Sequence, residues 1–133
     1  MQTQSNSSNR PLVFIVDDEP MIGELISSYL RVEGLRVEFF DQPLVALAAF
    51  EQTNPKPAVL LTDYQMPDMS GLELIQACRA LYPDLKTISI SGTMTDSDME
   101  EAGIAPDRLV RKPFAPSDLL QPIRELLGLV LVK

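Results

Sequence analysis

Five polar residues sit where short apolar runs end. Asp17 and Asp18 follow Leu12–Val16, Asp63 follows Ala58–Thr62, Ser91 closes Thr87–Ser91, and Lys112 follows Leu109–Arg111. Three carboxylates held together would repel and resist ionisation unless a cation sat among them. The chain has no histidine and one cysteine, so a hard ion with oxygen ligands is favoured, Mg²⁺ first. Lys112 would supply a point charge and Ser91 a hydroxyl, the groups suited to a tetrahedral phosphoryl group. Asp63 would then be the nucleophile, since a carboxylate is already ionised at neutral pH and needs no general base. Each residue also has a plainer reading. A lone aspartate after a strand is more often a helix cap, Asp17-Asp18-Glu19 suits any helix N-terminus, and Lys112 and Ser91 taken singly are ordinary surface and strand-end residues. It is their joint placement that favours chemistry.

That placement depends on the elements between them. Ala58-Val59-Leu60-Leu61-Thr62 and Leu12-Val13-Phe14-Ile15-Val16 read as strands buried on both faces, as in parallel sheets. Leu35–Phe40 alternates Arg36 and Glu38 with apolar residues and is expected at a sheet edge. Thr87–Ser91 and Leu109–Arg111 complete five strands. Between them, Ile22, Leu25, Ile26, Tyr29 and Leu30 have helical spacing after Pro20, and Gly34 closes that helix. Asp41 is the expected cap of a second helix, with Leu44, Leu47 and Ala48 inward. Ser70 and Glu73 have capping-box spacing for a third, Thr95–Ala102 forms a short acidic fourth, and Ser117 caps a last helix that Pro122 delays or bends. Strict alternation predicts an α/β fold with a parallel sheet covered on both faces, whose strand ends share one edge.

Composition narrows the function classes. At 133 residues the chain fits one domain, and 45% hydrophobic content is ordinary for a globular protein. Cys78 has helical spacing to Leu74, Leu81 and Tyr82, which predicts a buried structural thiol and fits a reducing compartment. The polar start, Met1–Asn9, lacks the apolar stretch of a signal peptide, and no run approaches membrane-spanning length, so a cytoplasmic location is expected. A net charge of −8 opposes direct nucleic-acid binding. The absence of histidine removes Ser-His-Asp and Cys-His systems. Residues 1–10 read as a disordered tail, 11–128 as the folded domain, and 129–133 as a short apolar tail, either packed on the body or exposed for a partner.

Val16-Asp17-Asp18-Glu19-Pro20, Asp63 with Met66-Pro67 and Ser70-Gly71, Ser91-Gly92 and Lys112-Pro113-Phe114 occur in an order and spacing that resemble response-regulator receiver domains of two-component signalling, over about residues 11–127. The resemblance implies a flavodoxin-like five-stranded sheet of order 2-1-3-4-5 flanked by five helices. It implies that Asp63 accepts a phosphoryl group from a histidine kinase or phosphotransfer protein. Asp18 and Asp63 would bind Mg²⁺ directly, Asp17 through a water and Gln65 through its backbone carbonyl. Lys112 would pair with the phosphoryl group, Ser91 would swing to bond it, and the Lys112–Pro113 peptide would be cis. Gln65 and Thr93 take the positions that control water access to the phosphoryl group.

One departure concerns output: where the family commonly has an aromatic residue three before the lysine, this chain has Leu109, which cannot act as the same gate. No output module is expected within these residues, so the signal would pass to a downstream effector protein or output domain, or through a homodimer. Alternatives within signalling are a phosphorelay intermediate and the N-terminal receiver of a longer response regulator. An aspartate-nucleophile phosphohydrolase is a different class; it usually carries a second Asp two positions after the nucleophile, where this chain has Gln65. A degenerate receiver serving only as an interaction domain would not need all five site residues. A non-enzymatic phosphoacceptor is therefore the expectation, with self-phosphorylation and self-dephosphorylation as its only activities.

Overall fold

The computed structural model describes residues 10–128. Five strands alternate with five helices: β1 Leu12–Val16, α1 Pro20–Val32, β2 Arg36–Phe40, α2 Pro43–Gln52, β3 Val59–Asp63, α3 Gly71–Leu81, β4 Lys86–Ser91, α4 Asp96–Ala102, β5 Arg108–Arg111 and α5 Pro116–Leu127. Every strand pair is parallel, in the order β2-β1-β3-β4-β5. This is the expected flavodoxin-like arrangement. Burial explains the order. β1 and β3 are buried at every position and take the interior of the sheet, whereas β2, with Arg36 and Glu38, buries none fully and forms an edge. The tails expected at 1–10 and 129–133 lie outside the described residues, apart from exposed Arg10.

The alternation of side chains along each strand divides the core between the two faces of the sheet. On one face Val13, Ile15, Val59, Leu61, Ile88 and Ile90 meet Ile26 and Leu30 of α1 and Leu119 and Ile123 of α5. On the other, Phe14, Val16 and Leu60 meet Ala46 and Phe50 of α2 and Leu74, Ile75 and Cys78 of α3. Cys78 is fully buried there, and burial pushes its thiol up to about 12. α4 buries none of its side chains.

The helix ends correct several expectations. α1 begins on Pro20 and α3 on the Ser70–Glu73 capping box, as expected. α2 does not start at Asp41. Its N-cap is Gln42, and Pro43, with φ preset for the first turn, begins the helix. Its inner face is Pro43, Ala46 and Phe50, while Leu44 is half exposed and Ala48 exposed. Apolar residues run all round this helix, so spacing alone does not choose its inner face. Leu25 likewise lies at the margin of α1, 44% exposed. α5 is neither delayed nor capped by Ser117: it starts on Pro116 after Ala115 and runs through Pro122. Pro122 has no N–H to donate to the carbonyl one turn back, and the buried Leu119 and Ile123 nearby hold the helix to the sheet. At α4 a second capping box, Thr95 with Asp98, was not anticipated.

Gly23 brings α1 close to the sheet, since a Cβ there would lie 2.0 Å from Cε1 of the Phe39 ring. Gly23→Ala is therefore expected to lower stability by about 1–3 kcal/mol through overpacking, outweighing the gain in helix propensity. Adding Phe39→Leu should recover part of the loss. Denaturant midpoints of the three proteins check this, and an unchanged midpoint in Gly23→Ala would mean that the ring moves aside freely. Native Cys78 should resist a disulfide-forming thiol reagent and react fully once the chain is unfolded; rapid labelling of native protein would contradict its burial.

Candidate functional site

The register of the sheet gathers the chemistry. Val16 pairs with Thr62, so Asp17 and Asp18 leave β1 beside Asp63 at the end of β3. Asp63 pairs with Ile90 and Ser91 with Arg111, which brings Ser91 and Lys112 to the same edge. The five residues expected at the strand ends do converge. Asp17, Asp18 and Asp63 each place a carboxylate oxygen within 4.8 Å of the others. Lys112 Nζ lies 3.0 Å from Asp63 Oδ1. Asp18, Glu19, Asp63, Gln65, Ser91, Gly92, Thr93 and Lys112 line a cavity of about 300 Å³.

Local backbone geometry holds each side chain. The Asp63 carbonyl accepts the Thr62 hydroxyl at 2.9 Å, and Tyr64 N–H donates to the Ile90 carbonyl at 3.0 Å, continuing the β3–β4 ladder past Asp63. Gly71 N–H donates to the Tyr64 carbonyl at 2.7 Å, closing the loop that leaves the site. A Cβ on Gly71 would meet the Asp63 carbonyl oxygen at 2.3 Å, so this close return requires glycine. Ser91 Oγ accepts hydrogen bonds from Thr93 N–H at 2.9 Å and Met94 N–H at 2.7 Å. Lys112 N–H donates to the Ser91 carbonyl at 3.1 Å, and the Lys112–Pro113 peptide is cis, as the resemblance implied.

The electrostatics are those of negative charge confined in a poorly solvated space. Asp17 is 1% exposed, and burial raises its carboxyl to about 6 against the hydrogen bond it accepts from Glu19 N–H at 2.8 Å; the nearby Asp63 charge raises it further. Burial also raises Asp63, and outweighs the hydrogen bond and charge of Lys112. For Lys112, burial opposes its charge, but Asp63, Asp17 and Glu19 together hold the ammonium above its usual range. Both partners of one ion pair thus move up. The causes differ: burial penalises the charge of Asp63, whereas the surrounding carboxylates favour the charge of Lys112.

The donor set fits a small hard cation. Asp17 Oδ2 is buried without a hydrogen-bond partner among the described residues, a costly state for a carboxylate oxygen unless a cation or its bound water answers it. The grouped ligands are all carboxylates, which suits Mg²⁺ and disfavours zinc or copper. The expected site residues thus stand together, Gln65 among them on the cavity wall. Two neighbours were not singled out from sequence. Glu19 joins the wall and adds charge facing Lys112, and Arg111 Nη1 donates to the Met94 carbonyl of the loop that Ser91 holds. Glu19 was legible as part of the acidic run; nothing in the sequence marks Arg111.

Comparison with known proteins agrees with this geometry. Residues 13–124 match the model of the response regulator receiver domain. The transcriptional regulatory protein CssR of Bacillus subtilis is 30% identical over 119 residues, 89% of this chain and 52% of CssR. CreB of Escherichia coli, also a transcriptional regulatory protein, is 32% identical over 89% of this chain and 51% of its own. The chain spans about half the length of these curated relatives. The response regulator receiver protein CpdR of Brucella abortus is covered over 95% of its length, at 28% identity. Among solved structures, a CheY-like receiver domain protein from Methanospirillum hungatei superposes with a TM-score of 0.81 at 32% identity, covering 90% of this chain and 95% of the other. A carboxylate cluster beside a lysine at the carboxyl edge of a 2-1-3-4-5 sheet, with a family match across most of the chain, makes this protein a member of the response-regulator receiver family of two-component signalling.

Proposed function

We propose that this domain is a phosphoacceptor switch in which Asp63 takes a phosphoryl group from a histidine kinase or phosphotransfer protein. The observation that carries the reading is the Asp63 carboxylate, 6% exposed, 3.0 Å from Lys112 and grouped with Asp17 and Asp18. Asp18 and Asp63 would hold Mg²⁺ directly, Asp17 through a water and Gln65 through its backbone carbonyl. Bound there, the ion would neutralise charge on the transferring phosphoryl oxygens. An Asp63 carboxylate oxygen would attack phosphorus, the bond to the donor nitrogen or acyl oxygen would break, and an aspartyl phosphate would form. Lys112 would then shift from the carboxylate to the phosphoryl oxygens, and Ser91 would offer them its hydroxyl. No general base is required. The chain is thus an acceptor rather than an enzyme turning over a substrate, beyond forming and losing its own phosphoryl group.

Downstream, the phosphorylated face would act on an effector protein or output domain, or through a homodimer. The net charge of −8 favours protein partners over nucleic acid. Among the described residues no helix is long and apolar enough to cross a membrane. Leu109, half-buried and paired in register with Ser89, stands where many relatives carry the aromatic gate. That favours a second reading, a phosphorelay intermediate whose output is the phosphoryl group itself.

Incubation with a small acyl phosphate and Mg²⁺ is expected to add one phosphoryl group to Asp63, seen by intact mass and by acyl-phosphate trapping. Asp63→Ala should remain unmodified, and Lys112→Ala should slow the reaction about 100-fold, the scale of losing one charge-stabilising donor. Labelling of Asp63→Ala at the wild-type rate would refute the assignment. A second expectation concerns pH. Because Asp17 holds its proton up to about 6, above its ordinary 3.8, its protonated form favours the metal-free fold below the ordinary value, and that contribution is lost as pH rises through about 6. A cation should offset the loss, so Mg²⁺ should raise Tm at about pH 8 and far less at about pH 5, where protons compete for the carboxylates. A Tm increment independent of pH would contradict this.

A further inference from the structure

The cavity at the strand ends holds one carboxylate for which phosphoryl transfer to Asp63 has no use. Glu19 stands in its wall with Asp18, Asp63, Gln65, Ser91 and Lys112. Glu19 is the N-cap residue of α1, a position where a polar side chain often bonds the first free amides of the helix, yet its side chain makes no such bond. Its backbone does hold the site, through the N–H that it donates to Asp17 Oδ1 at 2.8 Å. The residue is exposed, whereas Asp17 and Asp63 are buried. An exposed side chain in the wall of a cavity with a buried floor lies at its entrance.

The charge of Glu19 is felt inside. Although burial opposes the charge of Lys112, Asp63, Asp17 and Glu19 together hold its ammonium above the usual range. Lys112 is the one cationic side chain among the residues lining the cavity, and it is paired with Asp63 at 3.0 Å. A divalent ion among Asp17, Asp18 and Asp63 would answer those three carboxylates together with Lys112. Glu19 is not one of that group, so its charge is left facing whatever enters. A phosphodonor enters as an anion, and in a cavity with poorly solvated walls like charges repel more strongly than in open water.

We propose that Glu19 is a specificity-determining residue for the phosphodonor: its carboxylate at the cavity entrance disfavours small dianionic donors such as acyl phosphates relative to phosphoramidates, the class to which phosphohistidine belongs. The proposal rests on the phosphoacceptor reading. Near neutral pH an acyl phosphate carries about two negative charges, whereas phosphoramidate carries about one, because its nitrogen is protonated. The chemical step is the same for both: a carboxylate oxygen of Asp63 bonds to phosphorus as the P–O or P–N bond breaks, and a carboxylate or ammonia leaves with the bonding pair. The donors differ in the charge that has to pass Glu19.

The test compares the full chain with Glu19→Gln, which keeps the side-chain shape and the backbone N–H to Asp17. Second-order rates of Asp63 labelling are measured with acetyl phosphate and with phosphoramidate at low ionic strength and saturating Mg²⁺. Glu19→Gln is expected to react about threefold faster with phosphoramidate and about ninefold faster with acetyl phosphate, since doubling the donor charge squares the factor. Added salt, with Mg²⁺ held saturating, should narrow the difference between the two proteins. Independently of labelling, the Mg²⁺ concentration that gives half the rise in Tm should be higher in Glu19→Gln, because a carboxylate that repels an anion attracts a cation. Equal gains with the two donors, no gain with either, a difference indifferent to salt, or an unchanged Mg²⁺ requirement would each overturn the proposal. Failure of the wild type to be labelled on Asp63 by either donor would instead overturn the phosphoacceptor reading, and the role of Glu19 with it.

Discussion

The site depends on an imbalance of charge. One ammonium, Lys112, faces the carboxylates of Asp17, Asp18 and Asp63 in a space too poorly solvated to screen them. Proteins seldom bury carboxylates in groups without an answering cation, because the repulsion and the lost hydration both favour protonation. The raised carboxyls of Asp17 and Asp63 and the unpartnered Asp17 Oδ2 express that strain in three separate ways. A pocket in this condition is poised to take up a divalent ion.

The fold supplies what such a pocket requires: rigid backbone at the ends of several strands at once. A parallel sheet brings every carboxyl end to one edge, so residues remote in the chain meet without long loops. Because β1 and β3 are buried on both faces, they cannot slip without exposing apolar side chains, and Asp17 and Asp63 inherit that rigidity. The close return of Gly71 onto the Asp63 carbonyl adds a local constraint of the same kind. By contrast α4, next to the site, has a capping box at its start but buries no side chain fully, so the packing is dense beneath the chemistry and sparse beside it. Signalling proteins draw their moving parts from such weakly held elements. In this chain the loop leading into α4 is held by hydrogen bonds of Ser91 to the Thr93 and Met94 amides and of Arg111 to the Met94 carbonyl.

Much of this was legible in the order of residue types. The doubly apolar runs at Leu12–Val16 and Ala58–Thr62, the mixed run at Leu35–Phe40 and the intervening helical spacings specify an alternating parallel sheet with β2 at an edge, because a strand buried on both faces is apolar at every position and an edge strand only in part. The polar residues at the strand ends, with no histidine to compete, narrow the expected chemistry to carboxylates, a hydroxyl, a lysine and a hard cation before any coordinates are known. Helix starts were less legible where two capping signals compete. At α2 a proline displaced Asp41, and at α5 Pro116 displaced Ser117, because a residue with φ already preset begins a helix at lower entropic cost than a polar side chain can offset. The inner face of α2 could not be read at all, since a helix apolar on every side carries no directional signal.

What the sequence determined by itself, then, is which residues stand at strand ends and which chemistry their types permit, since both follow from local pattern and the nature of the side chains. Only the tertiary structure decided which neighbours each of those groups meets. That Asp63 and Lys112 pair at 3.0 Å, that one oxygen of Asp17 has no partner among the described residues, and that Arg111 reaches back to the Met94 carbonyl are consequences of strand register and side-chain direction. A linear sequence does not encode these position by position. They arise when separate strands are brought alongside one another and the backbone groups left over have to find partners.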